Sequence, residues 1–235
     1  MISGTAEMSS REVAARLKVS ARQASELMRA GALPGRRLPS GAWLTTADAL
    51  ERYCAQQRRG RGRRLSPATA WGVLWELSGL GCSWLPRATR SRVRDFIEAA
   101  SAEEIVRAVA TRTRTHRFTS ARIDTHVRRD LVRTGVSAVH RLTPTRSRVH
   151  KVVMGYTTEE KVEAHAREVD WTPHADGEHV LFELNLPIPF LAKRMPDAVV
   201  AADLIHSVDA RDRMLAVTET DRIRAIWLRR RARTC

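Results

Sequence analysis

Cysteine and lysine are both scarce in this 235-residue chain. Cys54, Cys82 and Cys235 are odd in number, far apart and form no CxxC pair, so neither a disulfide framework nor a zinc site is implied. Long apolar runs are missing too: nothing approaches the roughly 18 residues that a membrane-spanning helix needs. No basic amphipathic stretch offers a clean apolar face to a bilayer surface, and the first residues lack a secretory apolar region. The expected location is cytoplasmic, with no membrane partner. Catalytic signatures are absent as well. There is no P-loop, GxGxxG, GxSxG or HExxH, and the run Arg59-Gly60-Arg61-Gly62-Arg63-Arg64 lacks the Lys-Ser/Thr that completes a phosphate cradle. The chain is therefore not expected to be an enzyme, and no cofactor or metal is expected.

Arginine is what the chain has in excess. Lys18, Lys151, Lys161 and Lys193 stand against 37 arginines, and the formal net charge is +15. Such a bias also fits a GC-rich genome, so not every arginine need serve a partner. With 43% hydrophobic and 29% charged residues the chain is too apolar for wholesale disorder. The charge is uneven: residues 1–64 carry +8, residues 65–150 carry +8, and residues 151–235 carry −1. A polyanion-facing surface is thus expected in the first two thirds, because neutralised phosphates release counterions. The last third reads as a neutral folding or partner region, apart from the tail Arg229, Arg230, Arg231 and Arg233.

Two short helices open the chain. Ser9-Ser10-Arg11-Glu12 is a capping box, and Val13, Ala14 and Leu17 follow at helical spacing. After a break at Lys18-Val19, Ser20-Ala21-Arg22-Gln23 repeats the signal, with Ala24, Leu27 and Met28 inward and Gly31 as the stop. That spacing predicts a helix-turn-helix. The second helix turns Arg22, Gln23, Glu26 and Arg29 outward, and Arg and Gln can make bidentate contacts to guanine and adenine edges. Glu26 is unusual on a DNA face; it can pair with Arg22 or Arg29, or accept from cytosine. Next, Pro39 to Gly41 separates two β-compatible runs, which predicts a hairpin wing carrying Arg36 and Arg37. Thr45 or Thr46 caps a third helix to about Gln56, with Leu50 and Tyr53 toward the core.

The stretch REVAARLKVSARQASELMRAGALPGRRLPSGAWLTTADALERY, residues 11–53, resembles the MerR/excisionase-type winged helix-turn-helix. The resemblance implies a DNA-binding module over residues 1–57, with Ser20, Arg22, Gln23, Glu26, Arg29, Arg36 and Arg37 at the duplex. A basic connector, residues 58–65, follows. Its Arg58, Arg59, Arg61, Arg63 and Arg64 read either as an arm along a narrow minor groove or as a solvated linker.

Residues 66–225 read as an α+β domain, mainly helical like the whole chain. Ser66-Pro67 starts an apolar helix with Trp71 and Trp75; further helices are expected over 89–99, from Ser101, over 121–134, from Thr158 to Val169, and over 199–205. Residues 111–118 read as an exposed strand and 179–186 as a buried one. A basic tail, 226–235, closes the chain. The phrase AADLIHSVDAR at 201–211, with TGVSAV at 134–139 and VLFELNLP at 180–187, is similar to AbiEi-family antitoxins, Val208 standing where that family tends to have glycine. This resemblance implies the antitoxin of a toxin–antitoxin pair that binds repeats in its own operator, as a possible homodimer, and counters a nucleotidyltransferase toxin. The alternative is an excisionase-like accessory protein of a phage or mobile element.

Other constellations are weaker. His165, His174, Asp176 and His179 match no metal-ligand spacing, and His174 to His179 looks like a turn before a strand. Asp203, Asp209 and Asp212 are read as a helix cap and an arginine partner rather than as catalytic carboxylates. Cys54 is read as core packing.

Overall fold

The computed structural model describes residues 7–58, 65–120, 131–145, 152–187 and 194–233, with the side chains of residues 55–58 outside the description. The chain is α+β, with two sheets among the described residues. Among the described residues no helix is long and apolar enough to cross a membrane.

In the N-terminal unit, strand β1 (Glu7–Ser9) leads into helix α1 (Ser10–Leu17), then α2 (Ala21–Arg29), β2 (Arg36–Arg37), β3 (Trp43–Thr46) and α3 (Ala47–Arg58). The strands form an antiparallel sheet in the order β1-β3-β2, with Arg36 opposite Leu44 and Arg37 opposite Trp43. Both expected capping boxes are present, on Ser9 with Glu12 and on Ser20 with Gln23. The helices can therefore start where their serines stand, since each box satisfies first-turn amides that would otherwise lack partners. Lys18 closes α1 in the left-handed conformation. Thr46 accepts the Ala49 amide at 3.2 Å and so starts α3. Val13, Ala14, Ala24, Met28, Leu33, Leu50 and Tyr53 form a small core, with Cys54 packed against it.

Two glycines fix close approaches here. Gly31 has φ +69°, and a Cβ on it would lie 2.9 Å from the Thr115 amide nitrogen of the second sheet. A Cβ on Gly35 would lie 2.8 Å from the Leu44 carbonyl and 3.0 Å from the Met28 sulfur, so only glycine lets α2 lie this close to the hairpin.

The rest of the chain is built on a five-stranded sheet in the order β5-β6-β8-β4-β7. Its strands are β4 (Thr115–Thr119), β5 (Val132–Arg133), β6 (Met154–Thr157), β7 (Thr172–Pro173) and β8 (His179–Glu183), with β6 and β8 parallel and the other pairs antiparallel. Helices α4 (Pro67–Leu77), α5 (Arg87–Ala99), α6 (Ala102–Val109), α7 (Glu159–Glu168), α8 (Asp197–Asp203) and α9 (Ala210–Ala232) surround it. On one face, Tyr156, Val180 and Phe182 pack with Trp71, Leu74, Val199 and Trp227 in the main core. On the other, Leu181 and Phe118 pack with Val162, Ala166 and Trp171. Val180, Leu181 and Phe182 are apolar without alternation because both faces of β8 are covered.

Several expectations need correction. The strand at 111–118 starts later and is not exposed: β4 lies between β8 and β7, and Arg112 and Thr113 before it are buried. Residues 132–133 are strand rather than helix, and Gly135–Arg141 is a 3₁₀ helix; most of the expected 121–134 helix lies outside the described residues. The helix expected over 199–205 begins at Asp197 and tightens to 3₁₀ geometry over Leu204–His206. The boundary expected at 226 falls inside α9, whose Trp227 is buried in the main core, so the last arginines extend a structural helix.

Candidate nucleic-acid interface

Helix α2 begins at an exposed N-cap, so first-turn amides and the positive end of the helix dipole face outward beside Ser20. Arg22, Gln23 and Arg29 are exposed on it, and Glu26 is half-buried. Their chemical states differ. Gln23 is committed locally, its Oε1 accepting from the Ser20 amide at 2.9 Å and the Ser20 hydroxyl at 3.0 Å. A bidentate grip on adenine needs that oxygen, so base reading by Gln23 competes with the cap of its own helix. Glu26 pairs with Arg29, one of the partners its spacing allowed. Arg22 makes no ion pair among the described residues.

The hairpin shows the same contrast. Arg36 donates Nε to Glu7 Oε1 at 2.9 Å and Nη2 to Glu7 Oε2 at 2.7 Å, a two-point bridge across the sheet. The Arg36 bond holds the Glu7 carboxyl below the usual carboxylate range, and Glu7 in return raises Arg36. Arg37 is exposed, and among the described residues it donates only to the Gly41 carbonyl, at 3.4 Å. Among the described residues Arg22 and Arg37 therefore have no counter-charge, whereas Arg29 and Arg36 are partly neutralised. The side chain of Arg58 and all of Arg59, Arg61, Arg63 and Arg64 lie outside the described residues, so the arm stands as a sequence expectation.

Neither a protein-family model, nor a curated protein, nor a solved structure matches the chain. Function must then be argued from these side chains.

The structure also assembles groups that no local spacing revealed. Arg112 is fully buried and pairs with Asp203, 91 positions away. Thr134 and Tyr156 donate to the other Asp203 oxygen at 2.6 and 2.9 Å, and Arg112 lies 4.6 Å over the Trp71 ring. Burial pushes the Tyr156 phenol well up, so it remains a donor. This network joins α4, β6, α8 and the segment before β4, and its Asp203 is the arginine partner that the sequence suggested. Asp209 caps α9, accepting from the Arg211 amide at 2.8 Å. His179 stacks on Trp171 with centroids 4.4 Å apart, and His165 lies on the buried face of α7. Among the described residues no group of three or more His, Cys, Asp or Glu side chains is arranged to hold a metal.

A second missed assembly lies where the N-terminal unit meets the larger sheet. Asp176, in the turn before β8, accepts from the Thr46 hydroxyl and pairs with Arg52 of α3. Arg117 of β4 donates to the carbonyls of Gly177 at 3.0 Å and His206 at 2.6 Å. Arg213 of α9 donates one nitrogen to the carbonyls of Ser207 at 2.8 Å and Val208 at 2.7 Å. Burial, with the charges of Arg52 and Arg213, pushes the Arg117 guanidinium down to about 10.

Proposed function

We propose that the chain is a sequence-specific DNA-binding repressor whose N-terminal unit is a winged helix-turn-helix. Helix α2 enters the major groove and the β2–β3 hairpin acts as the wing. The observation that carries this reading is Arg22: exposed, without an ion pair among the described residues, and in the first turn of a capped helix. Arg37 and the arginines of 58–64 grip phosphates, while Arg22 reads a base edge. Two copies engage half-sites about one helical turn apart, or a multiple of that. Resemblance of the C-terminal region to AbiEi antitoxins supports a toxin–antitoxin role with a nucleotidyltransferase toxin as partner. It also supports non-enzymatic action in the cytoplasm.

Fluorescence anisotropy on the upstream region of the chain's own gene and on a random duplex tests this. Arg22→Ala is expected to weaken the specific complex by about 1–3 kcal/mol and relax preference at one base pair, whereas Arg37→Ala weakens both duplexes alike. Equal losses on both duplexes for both variants would remove α2 from the role of reader. The resemblance of residues 11–53 to excisionases gives a second reading, an accessory recombination protein. Footprints at attachment sites and a neighbouring integrase gene favour it; footprints at its own operator and a neighbouring nucleotidyltransferase gene favour the repressor.

A further inference from the structure

At the junction between the two units, three arginines from distant parts of the chain bond to the same two loop segments: Arg52 of α3 to Asp176, Arg117 of β4 to the carbonyls of Gly177 and His206, and Arg213 of α9 to those of Ser207 and Val208. Their counter-charges are unequal. Arg52 is balanced by Asp176, with Asp48 of the same helix adding to it. The Asp176 carboxylate also receives the Thr46 hydroxyl, so it is already occupied. Arg117 and Arg213 donate only to main-chain carbonyls, which satisfy donors without cancelling charge, and among the described residues neither makes an ion pair. Arg213 uses Nη1 alone in these bonds, and among the described residues its Nε and Nη2 make no hydrogen bond. Arg52 is about half-exposed, so the cluster opens to solvent on the α3 side.

We propose that this junction binds a phosphoryl dianion between Arg52, Arg117 and Arg213. Two guanidinium charges without an ion pair among the described residues match a dianion and are only half matched by a carboxylate. Arginine forks also bind tetrahedral oxyanions at two points. An occupant bridges α3, which carries the N-terminal unit, to β4 and α9 of the larger sheet, and so tightens the junction between them. The phosphoryl group can come from a DNA backbone or from a free phosphorylated small molecule. The site uses none of the α2 side chains, so it stands or falls separately from the reading of the duplex.

The test is thermal unfolding of the full chain at pH 7.5, titrated with inorganic phosphate against sodium chloride at matched ionic strength. A ligand that binds only the folded state at about ten times its Kd is expected to raise the Tm by roughly 3–6 °C in a chain of this size. Arg213→Ala and Arg52→Ala are each expected to abolish that phosphate-specific rise. They are chosen over Arg117, whose two carbonyl bonds hold the local fold together. A wild-type chain with no phosphate-specific rise, or an Arg213→Ala chain with an undiminished one, overturns the proposal. Duplex affinity then separates the sources. If phosphate weakens it beyond matched chloride and Arg213→Ala removes that competition, the DNA backbone is the occupant; if Arg213→Ala leaves duplex affinity unchanged, the occupant is a free phosphorylated molecule.

Discussion

Arginine does opposite work in the two regions of this molecule. In the N-terminal unit the described guanidinium groups stay at or near the surface, with partners such as Glu26 three residues from Arg29 and Glu7 across two strand pairings from Arg36, while Arg52 at the junction reaches Asp176 of the larger region. In the larger region many stay exposed too, but several turn inward as struts. Arg112 pairs with Asp203 in the main core, Arg141 bridges to Asp197 and the Met195 carbonyl, and Arg114 lies near Glu159 and Glu183. The middle third's +8 and the last third's −1 are thus halves of one bonded structure. Charge counted along the chain overstates what the larger region offers a polyanion, and the N-terminal +8 becomes the more meaningful figure. A planar guanidinium with five donors serves as a strut when buried against carboxylate and carbonyls, and as a phosphate or base contact when left in solvent.

The sharpest way to break this contrast is to leave a strut unpaired. Asp203→Ala strands the Arg112 charge in the core and removes the acceptor of Thr134 and Tyr156. It is expected to cost about 3–5 kcal/mol or to prevent folding, because a buried ion pair is most damaging when one partner alone is lost. Urea unfolding measures it. The double variant Arg112→Met with Asp203→Leu separates charge from packing: it is expected to recover a large part of that loss. If the double variant is as unstable as the single one, the network matters through its shape rather than through its charge.

Histidine sharpens the same point through pH. His206 donates Nε2–H to the Ala110 carbonyl and meets the Phe182 ring edge-on at 5.2 Å. Burial, then the charges of Arg117 and Arg112, push it down to about 3. In the unfolded chain it takes up a proton near 6.5, while in the folded chain it stays neutral far below that. Stability from this group is therefore full above pH 6.5 and is lost as pH falls from 6.5 toward 3, at up to about 1.4 kcal/mol per unit. His116 is also lowered by burial, against its bond to Glu183, and works in the same direction. The lowered Glu7 adds acid sensitivity only below the carboxylate range, so the interval from pH 6.5 to 5 isolates the histidines. His206→Gln, which keeps a donor at the same reach, is expected to flatten the fall of the urea midpoint between pH 7 and 5. An unchanged slope would mean that the imidazole is already solvated.

What the sequence displays follows from the range of the interactions. Capping boxes at Ser9, Ser20 and Ser101, the Ser66-Pro67 helix start, the Gly31 stop and the strand at His179 depend on residues within a few positions, and each stands where its local pattern places it. Arg112 has neighbours that alternate like a surface strand, which hides its burial. Its partner lies 91 residues away, and no local spacing encodes that distance. Arg52, Arg117 and Arg213 meet for the same reason only after β4 has been placed inside the sheet. The local pattern of Arg36 offers a phosphate contact, and only the placing of β1 shows that Glu7 stands beside it. Of the candidate duplex contacts, the pattern picks out the helix that carries them but not which arginines are already paired.

Two matching capping boxes give the smallest and most selective comparison. Ser20 with Gln23 starts α2, and Ser101 with Glu104 starts α6; the hydroxyl geometry is the same, each accepting its N3 amide at 3.2 Å. Ser20→Ala and Ser101→Ala are each expected to cost about 1 kcal/mol of unfolding free energy, the ordinary loss of an N-cap side chain. Their effects on the duplex should differ. Ser101→Ala leaves α2 untouched, so specific affinity is expected to stay at wild type. Ser20→Ala frays the turn that carries Arg22 and releases the Gln23 carboxamide from the cap. Specific affinity is therefore expected to fall while affinity for random duplex holds. If both alanine variants lose specific affinity equally, the loss is one of global stability and α2 has no special place at the interface. If neither loses any, Arg22 does not depend on the cap for its aim.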